Sequence, residues 1–284
     1  MKSNRIDKTI SLAEQEHRLA FIGLVPIDPS GIKKSREIAH MMVDSGIDII
    51  MVHIPNSMPW MEGQVLQKAA QNARCAGISR EEIFDLILNL RKDYPDTPII
   101  DMTLFDTALT MGIDRFWKLS ENADVDGFDL PNYPLFSSND KYGFYQDCLR
   151  TNRHLILDCS YEMAVAENGE NGNILLNQIA EKGRGFIFVM NAPGGKSGAG
   201  KLLSQDQLKN AVTNVKCVLA NHHNNQCSVS VVCGISSRDD VKKVKNAGAS
   251  SFMIGSAYVR MLQDGNSMDS VSTYLKSIRQ ECYF

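Results

Sequence analysis

Residues 231–257 carry the pattern that decides the fold. They read Val231-Val232-Cys233-Gly234-Ile235-Ser236, then a charged helical segment, then Ser251-Phe252-Met253-Ile254-Gly255-Ser256-Ala257. Each apolar run is typical of a buried parallel strand, and each ends in a glycine that precedes a helix. The first turn of a helix presents unpaired N–H groups and the positive end of its dipole. Two such starts side by side predict an anion site, most often for phosphate; two ordinary strand–helix turns are the alternative.

The same alternation of apolar runs and helical patterns extends through residues 1–284. The predicted strands lie at residues 20–26, 47–54, 98–104, 126–130, 154–159, 185–190, 228–232 and 251–254. A helical pattern at residues 5–18 precedes the first strand. Eight strand–helix units favour an α/β fold of the (β/α)8 TIM-barrel type with an extra N-terminal helix. No linker or low-complexity segment interrupts the chain, so we expect one domain.

The composition fits such a barrel and excludes several other classes of protein. The 284 residues are 43% hydrophobic and 22% charged, and the net charge is −3, which gives no general attraction to nucleic acid or to a membrane surface. Seven cysteines without a CxxC pair argue for reduced thiols and against a zinc site. The first residues lack an apolar signal core, and no apolar run reaches about 18 residues. We therefore expect a cytoplasmic protein without a membrane segment.

The loop after the sixth strand is rich in glycine and lysine. Residues 191–201 contain Gly195, Gly200 and Lys201 at the spacing of a phosphate-binding P-loop, but Leu202 stands where that motif needs Ser or Thr for Mg²⁺. We therefore expect no nucleotide site here. The glycines favour a lid, in which Lys196 and Ser197 face a bound phosphate. A solvated basic loop is the alternative.

Several motifs, in order and at matching spacing, resemble the α subunit of tryptophan synthase. They are Asp28-Pro29, the loop Ile54-Pro55-Asn56-Ser57-Met58-Pro59-Trp60-Met61-Glu62-Gly63, the joint Gly183-Arg184-Gly185-Phe186, Gly234-Ile235-Ser236, Asn246-Ala247-Gly248-Ala249 and Gly255-Ser256-Ala257. The resemblance covers roughly residues 5–265. That family cleaves indole-3-glycerol phosphate to indole and glyceraldehyde 3-phosphate in a (β/α)8 barrel.

The resemblance preserves the phosphate site but not the catalytic site. It implies that Gly198, Gly234, Gly255 and Ser256 bind phosphate. The general acid/base Glu of the family falls on Met51, which cannot transfer a proton, and the Asp that bonds the indole nitrogen falls on Glu62. The Asp at the loop tip, which helps to couple the family to its β subunit, falls on Met58. The activity is therefore lost, taken over by another group or directed at another substrate.

Four residues near the predicted strand ends are candidate acid/base groups: His53, Glu62, Asp101 and Asp158. A His with nearby carboxylates can act as a general base near neutral pH, and an acid inside an apolar run is costly unless it is paired or used. Asp129 lies in a similar apolar setting. Structural roles are the alternative: pairing with Arg or Lys for the aspartates, a backbone partner for His53 and exposure for Glu62. Converging acids also suit Mg²⁺ or Mn²⁺, but we expect no bound metal.

These features predict a tryptophan synthase alpha-like lyase that makes or breaks a carbon–carbon bond in a phosphorylated small molecule. A catalytically silent, partner-binding barrel and an isomerase of phosphorylated sugars are the alternatives, because barrels of this type share phosphate sites across many reactions. The resemblance also implies a β-like partner subunit, and a homo-oligomer is the other possible assembly. No lysine lies in a Schiff-base context, so we expect no cofactor, and in particular no pyridoxal phosphate, in this chain.

Overall fold

The strands form a closed parallel barrel in chain order. The structure is a computed structural model that describes residues 4–58, 60–133, 135–136, 139–167, 171–195 and 201–284. The strands are β1 (Ala20–Val25), β2 (Ile49–His53), β3 (Ile99–Met102), β4 (Gly127–Asp129), β5 (His154–Cys159), β6 (Phe186–Met190), β7 (Ser228–Val232) and β8 (Ser251–Ile254). Each strand pairs with the next, and β8 pairs with β1. The predicted (β/α)8 barrel is confirmed.

Helices surround this barrel and one precedes it, as the sequence predicted. They are α1 (Arg5–Gln15), α2 (Ile32–Asp44), α3 (Gln64–Cys75), α4 (Arg80–Asp93), α5 (Phe105–Met111), α6 (Ile113–Asn122), α7 (Phe144–Thr151), α8 (Tyr161–Ala164), α9 (Asn171–Lys182), α10 (Gln205–Asn221), α11 (Arg238–Ala247), α12 (Ser256–Gln263) and α13 (Met268–Gln280). Within the described ranges, none of them has the length and apolar character needed to cross a bilayer.

Two short helices at the strand ends, α5 and α8, were not predicted. The backbone N–H of Phe105, the first residue of α5, donates to the side-chain oxygen of Asn132, 27 residues further along the chain. In α8, the hydroxyl of Ser160 accepts from the N–H of Met163. A helix of one or two turns is marginal by itself, and the distant partner of α5 leaves no local sequence signal.

The side chains of each strand alternate between the barrel interior and the helix layer. Gly23 faces the helices, because a Cβ atom there would lie 2.7 Å from Cε of Met42 in α2. Phe21 and Phe252 also face outward and stack with ring centroids 4.9 Å apart. Leu24 therefore faces inward, and the register carries that orientation to Met51 of β2.

Helix α1 closes the amino-terminal end of the barrel. The side-chain amide of Asn4 donates to the backbone oxygen of Asp126 at 3.0 Å. The buried carboxylate of Asp126 binds Arg5 at 2.9 Å, Arg91 at 2.6 Å and the N–H of Ile99 at 2.9 Å. Since Ile99 is the first residue of β3, the carboxylate of Asp126 links the start of α1 to the start of this strand.

Residues 282–284 lie along the segment that leads into β1. The N–H of Phe284 donates to the oxygen of His17, and the N–H of Leu19 donates to the oxygen of Cys282, both at 3.0 Å. An antiparallel bridge joins Arg18 and Tyr283 between them. Both ends of the described chain therefore meet at the amino-terminal end of the barrel, away from the carboxyl ends of the strands.

Candidate active site

A cleft opens at the carboxyl ends of β3 to β8. The cleft and its mouth together contain about 840 Å³ that no atom fills. Apolar side chains form most of its walls, among them Met102, Leu104, Phe188, Met190 and Met253. Its polar lining comes from the β2–α3 loop, from β4 and β5, and from the turns after β7 and β8. This is the end of a (β/α)8 barrel where ligands bind.

One end of the cleft is formed by glycine turns. Gly234 after β7 and Gly255 after β8 both line the cleft, together with Ser256, the first residue of α12. Gly234 has φ +71°, and a Cβ atom there would lie 2.3 Å from Cδ2 of Leu202. No side chain caps the start of α12, so its first amides have no side-chain acceptor at the position where Gly255 and Ser256 line the cleft. The structure thus brings three of the four expected phosphate residues together.

Helix α11 differs from the expected pair of open helix ends. The carboxylate of Asp240 accepts from the backbone N–H groups of Ser236 and Ser237, and Ser237 completes a capping box with it. The amides at the start of α11 are therefore already bonded to an acid of the same helix. Of the two helix starts, α11 and α12, the one that offers uncapped amides beside Gly234 is that of α12.

Glu62 and His53 form a buried pair beside the cleft. His53 ends β2, and its Nε2 atom lies 2.8 Å from Oε1 of Glu62. The side chain of His53 is 1% exposed and that of Glu62 is 6% exposed. Of these two residues, Glu62 lines the cleft and His53 does not. In the described part of the chain, Oε2 of Glu62 and Nδ1 of His53 have no hydrogen-bond partner. Glu62 thus presents one carboxylate oxygen that His53 orients and one that is available to a ligand.

Asp129 and Asp158 line the same cleft from the adjacent strands β4 and β5. Asp129 is 3% exposed, and Asp158 is partly exposed. Burial raises the pKa of Asp158 to about 7. Burial, and then the negative charge of Asp158, raise the pKa of Asp129 well above its ordinary value. Near neutral pH these two carboxyl groups therefore retain protons that exposed aspartates have lost.

Asp101 is separated from this group. It lies between the inward residues Ile100 and Met102, so its side chain faces the helix layer. There its Oδ2 atom accepts a 2.7 Å hydrogen bond from Ser120 of α6. Burial raises the pKa of Asp101 to about 7, an effect that the hydrogen bond from Ser120 reduces. Asp101, one of the four candidate acid/base groups, therefore does not line the cleft.

Met51 lies below the cleft, inside the barrel wall. It is fully buried, and its neighbours in the register are Leu24 and Ile100. His53 is the next residue along β2 that faces inward, and it is the nearest proton-transferring group on this strand. The polar pair therefore lies one inward position above the methionine.

Lys196, Ser197 and Gly198, the expected lid residues and the fourth phosphate residue, lie outside the described residues. The segments on both sides of them are described. Before the gap, the N–H of Gly194 donates to Glu162 of α8 at 3.0 Å. After it, Leu202 packs against Gly234.

The β2–α3 loop carries two exposed apolar side chains. Met58 is 73% exposed and Trp60 is 56% exposed. The loop begins in a fixed position, because the side chain of Asn56 donates to Thr107 of α5 and accepts from the N–H of Met58.

Within the described residues, no group of three or more His, Cys, Asp and Glu side chains could hold a metal ion.

Asp129 lines the cleft, although the sequence analysis did not include it among the four candidate acid/base groups. Its signal is the same as that of Asp158, an acid inside a short apolar run. Asp101 gives that signal too, although it faces the helices. The register separates them: Met102 pairs with Asp129, whereas Asp101 pairs with Phe128, which packs against Trp117 of α6. Strand register depends on distant pairing and cannot be obtained from the composition of one run.

The fold and the cleft define a (β/α)8 barrel with a candidate ligand cleft at the carboxyl ends of the strands. The family model described as tryptophan synthase alpha chain matches residues 10–282. The protein belongs to the tryptophan synthase alpha chain family, which confirms the resemblance seen in the sequence.

Individual relatives are distant but cover nearly the whole chain. The chain is 28% identical to a tryptophan synthase alpha chain of Escherichia coli over 268 residues, which are 94% of this chain and 93% of the relative. It is 26% identical to that of Prochlorococcus marinus over 269 residues, 95% of this chain and 89% of the relative. Among solved structures, tryptophan synthase of Mycobacterium tuberculosis matches with a TM-score of 0.82 at 20% identity, with full coverage of both chains. The alpha subunit from Legionella pneumophila matches with a TM-score of 0.80 at 21% identity, with 98% of each chain covered.

Proposed function

We propose that this protein is a carbon–carbon lyase of the tryptophan synthase alpha type that acts on a phosphorylated molecule resembling indole-3-glycerol phosphate. The observation that carries the proposal is the position of Glu62. Its buried carboxylate lines the cleft, is oriented by His53 at 2.8 Å and retains one oxygen without a partner in the described part of the chain. An oriented carboxylate beside a ligand cleft is the geometry of a general base.

In the proposed reaction, Glu62 removes the proton from the substrate hydroxyl next to the bond that breaks. The electron pair of that O–H bond forms a carbonyl group, and the carbon–carbon bond breaks. Its electron pair passes into the ring, whose carbon has already been protonated, and restores the aromatic system. His53 acts as a positioning residue, because its Nε2–H holds the carboxylate of Glu62 toward the cleft.

The ring carbon must receive a proton before the bond breaks, because the protonated ring can accept the electron pair of that bond. Asp158 is the proposed donor, because it lines the cleft and burial raises the pKa of its carboxyl group to about 7. A carboxylic acid that retains its proton at neutral pH can serve as a general acid. The reaction then balances: one proton leaves the hydroxyl for Glu62, and another reaches the ring from Asp158.

The phosphate end of the substrate is assigned to Gly234, Gly255 and Ser256. Support comes from the uncapped start of α12, whose amides and dipole favour an anion, and from the position of both glycines and Ser256 on the lining of the cleft. The expected contribution of Gly198, Lys196 and Ser197 remains part of this proposal.

The alternatives receive less support. A silent scaffold would close its acids with salt bridges, but among the described residues neither Asp129 nor Asp158 pairs with a Lys or Arg. An isomerase of phosphorylated sugars would need polar partners for several hydroxyl groups. The walls of this cleft offer mainly Met, Leu and Phe side chains.

A β-like partner subunit fits the exposed loop after β2. Met58 and Trp60 present apolar surface to solvent in this loop, next to the residue that we assign as the base. Exposed aromatic and Met side chains of this kind are enriched at protein interfaces.

The test is the release of indole from indole-3-glycerol phosphate by the purified protein. Glu62→Gln preserves the shape of the side chain but removes the base, and we expect it to reduce the rate about 10²–10⁴-fold. Asp101→Asn is the matched control: it changes an equally buried acid that faces the helices, and the rate should remain within about threefold. Equal rates for the Glu62→Gln variant and the unmodified protein would overturn the proposal.

A second variant tests how closely the substrate resembles the indole compound. Met51→Glu places a carboxylate one inward position below His53. We expect a rise in indole release if indole-3-glycerol phosphate fits the cleft. A folded variant with no change would indicate a different ring on the same phosphorylated chain.

A further inference from the structure

The cleft has two chemically opposite ends. At the glycine end, the uncapped amides of α12 favour negative charge. Asp129 and Asp158 supply carboxyl groups to the apolar part of the cleft, between walls such as Phe188 and Met102. A ligand that fills both ends must place a group that satisfies carboxyl oxygens beside these two residues.

Each of the two aspartates has one buried carboxyl oxygen that the described residues leave without a partner. Oδ1 of Asp129 and Oδ2 of Asp158 are buried and have no hydrogen-bond partner among the described residues. Asp129 is 97% buried as a residue yet lines the cleft, so its carboxyl group faces the ligand space. Glu62 adds a third buried oxygen without a partner on the same lining. A buried polar group without a partner destabilises the free protein, so a ligand that supplies donors here binds more tightly.

An uncharged indole ring supplies too few hydrogen-bond donors for these buried carboxyl oxygens. It offers one N–H donor, and the rest of its edge is apolar carbon. It would leave carboxyl oxygens of the aspartate pair covered and unbonded. A basic nitrogen heterocycle presents N–H donors and a positive charge, and charge-assisted hydrogen bonds are roughly twice as strong as neutral ones.

We propose that the natural ligand is a phosphate ester whose head group is a basic nitrogen heterocycle, held by Asp129 and Asp158. This inference rests on the proposed function, because it assumes that phosphate binds at the glycine end. The raised pKa values of both aspartates agree with it, since a basic ring can accept the proton that Asp129 carries while Asp158 keeps its own proton for the ring carbon. The ion pair then forms with no net uptake of protons from water.

Three probes share a propyl phosphate chain and differ only in the ring. They are 3-(imidazol-4-yl)propyl phosphate, 3-(indol-3-yl)propyl phosphate and propyl phosphate itself. Dissociation constants are measured by calorimetry at pH 7 on the full chain. We expect the imidazolyl probe to bind about tenfold more tightly than the indolyl probe, which corresponds to one well-placed charge-assisted bond.

Variants identify the residues responsible for the preference. Asp129→Asn with Asp158→Asn removes both carboxyl groups at nearly constant volume and should abolish the tenfold preference. Propyl phosphate should still bind that variant as it binds the unmodified protein. Asp101→Asn is the matched control, because this acid faces the helices, and it should keep the full preference.

The outcomes separate the two proposals. If the phosphate probes bind but the indolyl probe is equal or tighter, the inference on the head group is overturned and the proposed function stands. If none of the three probes binds the unmodified protein, both are overturned. If the double variant does not fold, the ranking of the three dissociation constants on the unmodified protein still tests the preference for the basic ring. The single Asp129→Asn variant then tests whether Asp129 contributes to that preference.

Discussion

Three acidic residues in neighbouring strands face opposite sides of the barrel wall. Asp129 and Asp158 line the cleft, whereas Asp101 accepts a hydrogen bond from Ser120 between the sheet and α6. In sequence, all three are acids within short apolar runs. The sequence was therefore sufficient to single out costly buried acids, but the register of β3 with β4 was needed to decide which of them face a ligand.

The burial of Asp101 predicts a pH dependence of stability. Burial raises its pKa from 3.8 to about 7, so the folded protein holds a proton here that the unfolded chain has lost. Its contribution is therefore complete below about pH 4 and is lost as the pH rises through 7. Asp101→Asn, which cannot ionise, should flatten that decline. The measurement is the free energy of unfolding in urea from pH 4.5 to 8.

Asp106→Asn, at an exposed position in α5, is the control for this experiment and should leave the pH profile unchanged. Asp129 and Asp158 add a decline of the same sign, so part of the slope should persist in the Asp101→Asn variant. Identical slopes for that variant and the unmodified protein would show that Asp101 ionises normally in the folded state.

At the scale of secondary structure, α1 depends on one carboxylate. Asp126 receives hydrogen bonds from Arg5, Arg91 and the N–H of Ile99, and only 4% of its side chain is exposed. The sequence predicted α1 from the spacing of its apolar residues. Its place across the amino-terminal end of the barrel was not predictable, because the contacts of Asn4 and Arg5 lie more than 100 residues away.

Asp126→Asn should destabilise the fold by about 3–5 kcal/mol, because the buried guanidinium of Arg91 loses the carboxylate at 2.6 Å and retains the more distant one of Asp124, at 3.7 Å. Asp124→Asn is the matched control. Asp124 also pairs with Arg5, but its side chain is 51% exposed, and such pairs contribute about 0–1 kcal/mol. Urea unfolding at pH 7 measures both. A loss below about 1 kcal/mol for Asp126→Asn would contradict the assigned role.

The turns after β7 and α11 provide a second matched pair. Gly234 and Gly248 both have positive φ, at +71° and +82°, so alanine at either should cost about 1–2 kcal/mol. Only at Gly234 would the new Cβ meet Leu202, at 2.3 Å. We expect Gly234→Ala to weaken binding of propyl phosphate at least about tenfold, and Gly248→Ala to leave it unchanged. Calorimetry gives both values, and equal affinities would remove Gly234 from the phosphate site.

At the scale of the whole molecule, repetition made the fold predictable. Eight apolar runs alternate with helical patterns, and a closed barrel is the arrangement that buries all of them. The direction of the cleft followed from the same rule, because ligand sites lie at the carboxyl ends of the strands. The capping of α11 by Asp240 could have been noticed in the sequence, since Ser237 and Asp240 are three residues apart.

The exposed loop after β2 gives a prediction about assembly. Met58→Ser with Trp60→Ser should leave the stability of the isolated chain within about 0.5 kcal/mol, because both side chains are exposed. It should weaken binding to a tryptophan synthase beta chain about 30-fold, as expected for the loss of an interface hot spot. Leu12→Ser in α1, 51% exposed at the opposite end of the barrel, is the control. Titration followed by analytical ultracentrifugation distinguishes the three proteins.

The contact of residues 282–284 with residues 17–19 has a practical consequence. This short antiparallel bridge holds the last residues at the end of the barrel opposite the cleft. If the protein is attached to a sensor chip through that end of the barrel, the opening of the cleft faces the flowing solution. Dissociation rates of the phosphate probes could then be recorded on an immobilised sample whose binding site faces away from the support.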